Sequence, residues 1–432
     1  MSAGPDTHYH ATSGLRPAAR PLQGQVDADT CIVGGGFAGL NTALGLAERG
    51  MRDVVVLEAE RVGHGASGRN GGFVFGGFSR GEDALLRELG RDRARMLHAG
   101  TLAGVERIRS RVHAHAIDCA IVESGVLWAN WFDDPAVLRR RQSLLAREFD
   151  THWEWIDRAS LRGQLLTTRY ADALFEPQAF HFHPLRYAHG LVRVLEDGGV
   201  RVAEQSPAIA LDRAGTCWRV RTPGGEVHAR RVVLACGGYL AGLRRRVDAA
   251  VMPIATYVMV TEPLGDRLAS AIRTRAAVYD TRFAFDYYRP LPDTRLLWGG
   301  RISIRDRAPA DVARLLRTDL ARVYPQLADV RIDRAWSGLM SYARHQMPHV
   351  GEIEPGLWLA QAFGGHGVAP TTFAGELVAS AIAEGDTRWH VLRDAYGLAS
   401  AFKPAGLLAA QVAYAWAQAR DAFKDWGDGP TP

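Results

Sequence analysis

The run Thr30-Cys-Ile-Val-Gly-Gly-Gly-Phe-Ala-Gly39 constrains this chain more than any other feature in it. A stretch that reads as a buried strand enters Gly34, Gly36 and Gly39, and an apolar helical pattern follows. That spacing makes a tight turn, lets backbone approach a pyrophosphate and seats a helix close against a sheet. Phe37 and Ala38 open the helix, where N–H groups face the phosphates. Glu58, followed by Ala59, closes a second strand, Val54-Val-Val-Leu57. At that distance a carboxylate accepts both hydroxyls of an adenosine ribose and repels a 2′-phosphate. Strand, turn, helix and acid in register predict a dinucleotide-binding unit.

A second glycine-rich loop, Gly65-Ala-Ser-Gly-Arg-Asn-Gly-Gly72, begins a few residues later, and an NAD site has no use for it. Ser67 offers a hydroxyl donor, Arg69 a fixed positive charge for a diphosphate, and the glycines close backbone approach. The loop resembles that of the D-amino-acid-oxidase-like flavoprotein family, in which a Ser/Arg/Asn cluster wraps the pyrophosphate and lies along the flavin ring. The resemblance implies FAD, contacted here by Ser67, Arg69, Asn70, Gly71 and Gly72. Downstream, Ala208 and the strand end at Ala235 and Gly237 repeat the character of the nucleotide unit and join the candidate cofactor contacts.

At 432 residues, with 47% hydrophobic and 23% charged residues, the chain is expected to fold as a soluble two-domain protein. The net charge of +5 comes without the basic-aromatic stripe of a nucleic-acid binder. No stretch approaches the length of a membrane span, and residues 1–28 lack a signal-peptide core. The four cysteines have no metal or disulfide spacing, which fits a reducing cytoplasm, and no metal site is expected. Apart from Lys403 and Lys424 every fixed side-chain cation is arginine.

The pattern along the chain predicts an α/β fold, a Rossmann-like FAD-binding domain interleaved with an α+β substrate domain on a mixed antiparallel sheet. The expected divisions are a mobile or surface-draped leader (1–27), FAD-binding parts at 28–110, 190–253 and 336–398, substrate parts at 111–189 and 254–335, and a C-terminal helix (399–432). Within these, 82–111 reads as one helix, 117–128 as a strand, 134–161 as a helix and 173–183 as a strand. The C-terminal helix is expected to pack on the body or on a partner subunit, which leaves a homo-oligomer open.

Further motifs place the chain nearest the gamma-glutamylputrescine oxidoreductase branch of that family: His181-Phe-His-Pro-Leu185, Asp286-Tyr-Tyr-Arg289, Arg295-Leu-Leu-Trp-Gly-Gly300, Trp336-Ser-Gly338, Met347-Pro348 and Gly364-Gly-His-Gly-Val368. The resemblance implies hydride transfer from an amine-bearing carbon to the flavin, the imine then hydrolysing. It places Gly365, His366, Gly367 and Val368 near the flavin pyrimidine carbonyl, with His366 alternatively a structural cap. Met340 stands where amino-acid oxidases of the family carry a carboxylate-clamping arginine, so an amine without an α-carboxylate is implied; Arg344 or Arg289 could substitute as clamp. Gly338 replaces the flavin-tethering cysteine of some relatives, so FAD is expected to be noncovalent. Tyr287 and Tyr288 sit on a strand, where only one can face the flavin; the other belongs to the core. His183 and Phe363 complete the pocket candidates. Some relatives use a lysine to speed reaction with dioxygen, and here Leu297 and Trp298 occupy that strand. The electron acceptor is therefore dioxygen or, as the missing lysine favours, a quinone-type carrier. An α-amino-acid oxidase and a redox-responsive flavoprotein with negligible turnover are the competing readings.

Overall fold

Two eight-stranded sheets organise the chain; the computed structural model describes residues 6–14 and 16–427. The first grows outward from the strand that enters the glycine turn. Gly24–Val33 pairs in parallel with Val54–Leu57 on one side and Gly225–Leu234 on the other. Arg201–Ala203 and Leu357–Gln361 extend the parallel run, and His349–Glu354 pairs antiparallel at one edge. The turn at Pro223-Gly-Gly225 joins Cys217–Arg221 to Gly225–Leu234 as an antiparallel pair. The central strands become continuously apolar only as they approach the glycine turn, at Cys31-Ile-Val33, Val54–Leu57 and Val232-Val-Leu234, where both faces are covered. Ile32, Val54, Val56 and Val233 face the helix layer, whereas Cys31, Val33, Val55 and Val232 enter the cluster on the opposite face. Helices Phe37–Glu48, Arg91–Ala114, Pro184–Asp197 and Val368–Glu384 form the helix layer.

The second sheet runs, in spatial order, Ile332–Tyr342, Met252–Thr261, Leu296–Ser303, Asp286–Pro290, Ala277–Asp280, Val126–Ala129, Ala173–Glu176 and Glu154–Ile156. All neighbours are antiparallel except Ala277–Asp280 beside Val126–Ala129. Helix Pro309–Val323 places Val312, Leu316, Leu320 and Val323 on one stripe and buries them against Tyr257, Tyr288 and Trp298. The expected architecture, a Rossmann-like unit with a mixed, largely antiparallel second sheet, is the one observed.

Several local expectations need correction. The helix read over 82–111 is two, Glu82–Leu89 and Arg91–Ala114, because Gly90 takes a φ of +78° between them. Only Val126–Ala129 of the strand read over 117–128 pairs as a strand; Gly125, at φ +71°, precedes it. The helix read over 134–161 ends at Phe149, where Asp150 turns left-handed, and an edge strand and a short helix, Arg158–Gln164, follow. The strand read over 173–183 is broken: Ala173–Glu176 joins the large sheet, and Phe180–His181 pairs with Phe73–Val74 in a separate ribbon.

Of the leader, expected to be mobile or surface-draped, residues 7–9 are buried in the body while most of 16–25 run along the surface; residues 1–5 and 15 lie outside the described residues, as do 428–432 of the C-terminal segment. A short helix, His8–Thr12, inserts Tyr9 with no exposed surface among Leu185, Val258, Val260, Leu297 and Trp336. At the other end of the chain, helix Ala405–Gly427 packs on the body. Tyr414 and Gln411 accept the N–H groups of Ile302 and Ile304 at 3.0 Å each, and Asp421 that of Phe283 at 2.8 Å. Leu408, Val412 and Trp416 face outward.

Candidate cofactor and substrate cavity

A cavity of about 1290 Å³ lies where the two sheets meet, larger than the roughly 300–1,000 Å³ of a pocket for one small ligand. One end is made of backbone. Helix Phe37–Glu48 starts at Gly36 with no side-chain cap, so its first N–H groups open toward the cavity apart from that of Phe37, which donates to Ser67 Oγ at 2.9 Å. A Cβ on Gly36 would sit 3.0 Å from that hydroxyl oxygen. Gly34 has a φ of +117°, and a Cβ there would lie 2.4 Å from the Ala235 carbonyl oxygen. Glu58 is oriented by its neighbours: Oε2 accepts the Gly35 N–H at 2.7 Å and Oε1 that of Glu60 at 3.0 Å. Burial raises its pKa, opposed by those two bonds. Arg69 donates to the His64 carbonyl at 2.7 Å and lies beside Gly338.

The other end is made of rings. Phe75 stacks on Tyr279 at 5.6 Å and meets His366 edge-on at 5.2 Å; Phe285 touches Tyr279, Tyr287 and His366 at 6.0 to 6.5 Å. All five line the cavity. The ring of Tyr287 needs two glycines: a Cβ on Gly71 would meet it at 2.6 Å and one on Gly299 at 2.2 Å. Burial lowers the His366 pKa to about 4, so its imidazole is neutral at pH 7. Helix Val368–Glu384 begins at Gly367, also without a side-chain cap, and Gly365, Gly367 and Val368 line the same wall. The C-terminal helix closes one side of the mouth with Ala405, Ala409 and Ala413.

The sequence matches the DAO family, FAD dependent oxidoreductase, over residues 29–381. It is 36% identical to gamma-glutamylputrescine oxidoreductase of Escherichia coli over 88% of this chain and 89% of that one. It is 34% identical to the probable oxidoreductase OrdL of Haemophilus influenzae, covering 85% and 86% of the two chains. The chain belongs to the DAO family of FAD-dependent oxidoreductases. Glycine oxidase of Geobacillus kaustophilus shares its fold with a TM-score of 0.68 at 22% identity, covering 84% of this chain and 96% of that one. L-proline dehydrogenase of P. horikoshii does so with a TM-score of 0.70 at 18% identity, covering 86% and 96%.

The residues present fit FAD: a glycine cradle filled by any Cβ, two uncapped helix N-termini on one cavity, and an oriented carboxylate beside the first. When bound, FAD supplies a two-electron acceptor. Of the DAO-family candidates, Gly34, Gly36, Phe37, Ala38, Glu58, Ala59, Ser67, Arg69, Asn70 and Gly71 line the cavity, joined from later in the chain by Ala208, Ala235 and Gly237. Tyr287, Met340, Arg344 and Phe363 line it as well. Five candidates do not. Gly39 is buried in its helix, where a Cβ would lie 2.0 Å from the Gly34 carbonyl oxygen, and Gly72 packs on Phe182 and Arg289. Tyr288 stacks on Trp298 at 4.3 Å in the second core, the alternation of the strand having sent Tyr287 to the cavity. Arg289 is spent within the protein: Nε donates to the Gly71 carbonyl at 2.6 Å, and Nη2 to the Phe182 carbonyl and the Tyr9 hydroxyl. His183 caps helix Pro184–Asp197 by accepting the Arg186 N–H at 3.2 Å.

Sequence reasoning missed Phe75, Tyr279 and Phe285. Period-2 alternation through Phe73-Val-Phe75 and Ala277-Val-Tyr-Asp280 was the available signal, but it does not say which face of a strand meets the cofactor.

Proposed function

We propose that this chain oxidises a C–N bond of an amine, polyamine-derived or another primary or secondary amine, with FAD held noncovalently. The ring wall carries the reading. Besides Glu58 and Glu60 at the nucleotide end, no carboxylate lines the described cavity, so an ammonium group would lose water with only ring faces in return. Cation–π attraction returns about 0.5–2 kcal/mol. Desolvating an ion costs several. The wall therefore favours the neutral amine, the form that can release a hydride, while Phe75, Tyr279, Phe285 and Tyr287 exclude water and orient it. The uncapped start of helix Val368–Glu384 presents positive partial charge to the same space. Gly338 on the cavity wall offers no sulfur for a covalent tether. The relative gamma-glutamylputrescine oxidoreductase suits this substrate class by its name.

One observation favours the α-amino-acid reading. Of the four arginines on the cavity, Arg282 pairs with Asp280 and Asp286, Arg301 with Asp319, and Arg69 binds carbonyls; Arg344 has no hydrogen-bond or ion-pair partner among the described residues. An anaerobic screen of amines against their α-carboxylated analogues, followed by loss of flavin absorbance, separates the readings. Bleaching by the amine alone supports the proposal, and bleaching by the amino acid alone replaces it with the α-amino-acid reading. Reduction by dithionite alone leaves the redox-responsive flavoprotein.

For the acceptor we propose a quinone-type carrier over dioxygen, in a cytoplasmic enzyme whose four cysteines are unpaired. No lysine lines the described cavity; Lys403 and Lys424 pair with Asp248 and Asp134. His366 is neutral and Arg301 is committed to Asp319, so neither puts a free cation beside the site. Stopped-flow mixing of amine-reduced enzyme with oxygenated buffer tests this: reoxidation faster than turnover makes it an oxidase.

A further inference from the structure

None of the described residues from 6 to 22 lines the cavity, yet their buried contacts converge on the loop that does. Tyr9 has no exposed surface. Its hydroxyl accepts from Arg289 Nη2 at 3.1 Å, and its ring meets Trp336 edge-on at 5.6 Å and His183 at 4.8 Å. Arg289 in turn binds the Gly71 carbonyl, and Phe182, whose carbonyl Arg289 also binds, donates its N–H to the Gly72 carbonyl at 2.9 Å. Trp336 Nε1 donates to the Arg69 carbonyl at 3.0 Å. Three carbonyls of the second glycine loop thus hang on groups that touch Tyr9 or lie one bond beyond it.

The rest of the segment grips the chain just before that loop, at Arg61 and, through Glu204, at Val62. Arg16 pairs with buried Glu204, which also accepts the Ala19 and Val62 N–H groups at 2.7 Å each, and Arg61 donates to the Arg16 carbonyl at 2.7 Å. The short helix is pinned by Arg186, which donates to the Thr12 carbonyl from Nε and Nη2. Arg289 is 2% exposed and has no carboxylate partner among the described residues. Its acceptors are neutral: two carbonyls, Tyr9 and His181 Nδ1 at 3.2 Å. Burial drives the His181 pKa down to about 3, and its Nε2–H donates to the Arg275 carbonyl at 2.8 Å. A buried cation held only by neutral groups is screened far less by solvent than an exposed one, so its field reaches across the loop.

We propose that the N-terminal segment is a positioning element of the FAD site: Tyr9, through Arg289 and Trp336, sets loop 69–72 and holds an uncompensated positive charge behind it. Tyr9→Phe keeps the ring and removes the acceptor. It should weaken FAD binding to the apoprotein by about tenfold, the worth of one hydrogen bond to a charged group. It should also shift the flavin midpoint potential, which a purely structural role would leave in place. In an Arg289→Lys background, which lacks the planar fork, the Tyr9→Phe effect should vanish. Arg334→Gln, which frees only the surface pair with Asp6, is the control and should change neither quantity. A Tyr9→Phe protein with lowered melting temperature but unchanged FAD affinity and potential overturns the proposal, as do additive effects of Tyr9→Phe and Arg289→Lys.

Discussion

At the nucleotide end of the cavity the chain presents backbone; at the opposite end it presents aromatic rings. The first surface is assembled mostly from residues 34–38 and 58–71, close in sequence, where glycines leave room and N–H groups face the cavity. The second takes Phe75, Tyr279, Phe285, Tyr287, Met340 and His366 from strands and loops spread over nearly three hundred residues. A backbone surface tolerates almost no added atom, whereas a ring surface can exchange one side chain for another and keep its shape. Cofactor identity is thereby fixed while substrate choice is free to vary.

The largest effect should come from the smallest added group. Gly39→Val forces side-chain atoms into the Gly34 carbonyl, so the protein should purify without FAD, and retention of stoichiometric yellow cofactor would refute the backbone account. Next, Glu58→Arg should weaken FAD binding by about 2 to 4 kcal/mol through lost hydroxyl bonds, read by titrating apoprotein with FAD. At the ring end, Tyr287→Phe should change the rate of flavin reduction by substrate. Tyr288→Phe should leave that rate alone and cost about 1–2 kcal/mol of stability through the lost 2.9 Å bond to Tyr324. Equal effects of the two on reduction would erase the distinction between wall and core. Met340→Arg should then raise the preference for α-amino acids over decarboxylated analogues, and a flat ratio with normal FAD binding removes Met340 from the clamp position.

A separate effect is a pH dependence behind the ring wall. Glu176 is buried, its Oε2 has no hydrogen-bond partner among the described residues, and burial pushes its pKa up to about 8. Because the folded pKa exceeds the unfolded one, its contribution is fully present below about pH 4.5 and is lost as pH rises toward 8. Glu176→Gln should remove that loss, so its melting temperature should gain on the parent between pH 5 and 8. A constant difference across that range would mean Glu176 is already charged in the folded protein.

The same contrast explains what could be read from sequence. The dinucleotide unit was legible because a strand, three spaced glycines and an acid report a local geometry. Tyr287 and Tyr288 could be recognised as a pair but not assigned, since alternation gives opposite faces without saying which face meets the cofactor. Arg289 and His183 looked like pocket residues by type; one is consumed holding Gly71 and Phe182, the other caps a helix. Nothing local in the leader announced that Tyr9 would be buried, because its partners lie some 170 to 330 residues away. Helix ends failed where a single residue such as Gly90 or Asp150 took a positive φ inside an otherwise helical pattern.

Ala405, Ala409 and Ala413 recur every fourth residue along the helix at the cavity mouth, and none touches the glycine cradle. Each is a methyl group where a longer side chain would project into the opening. The gauge of the doorway is therefore a property separable from the chemistry behind it. A lineage could admit bulkier or slimmer molecules by trading these methyls, without renegotiating the grip on its coenzyme.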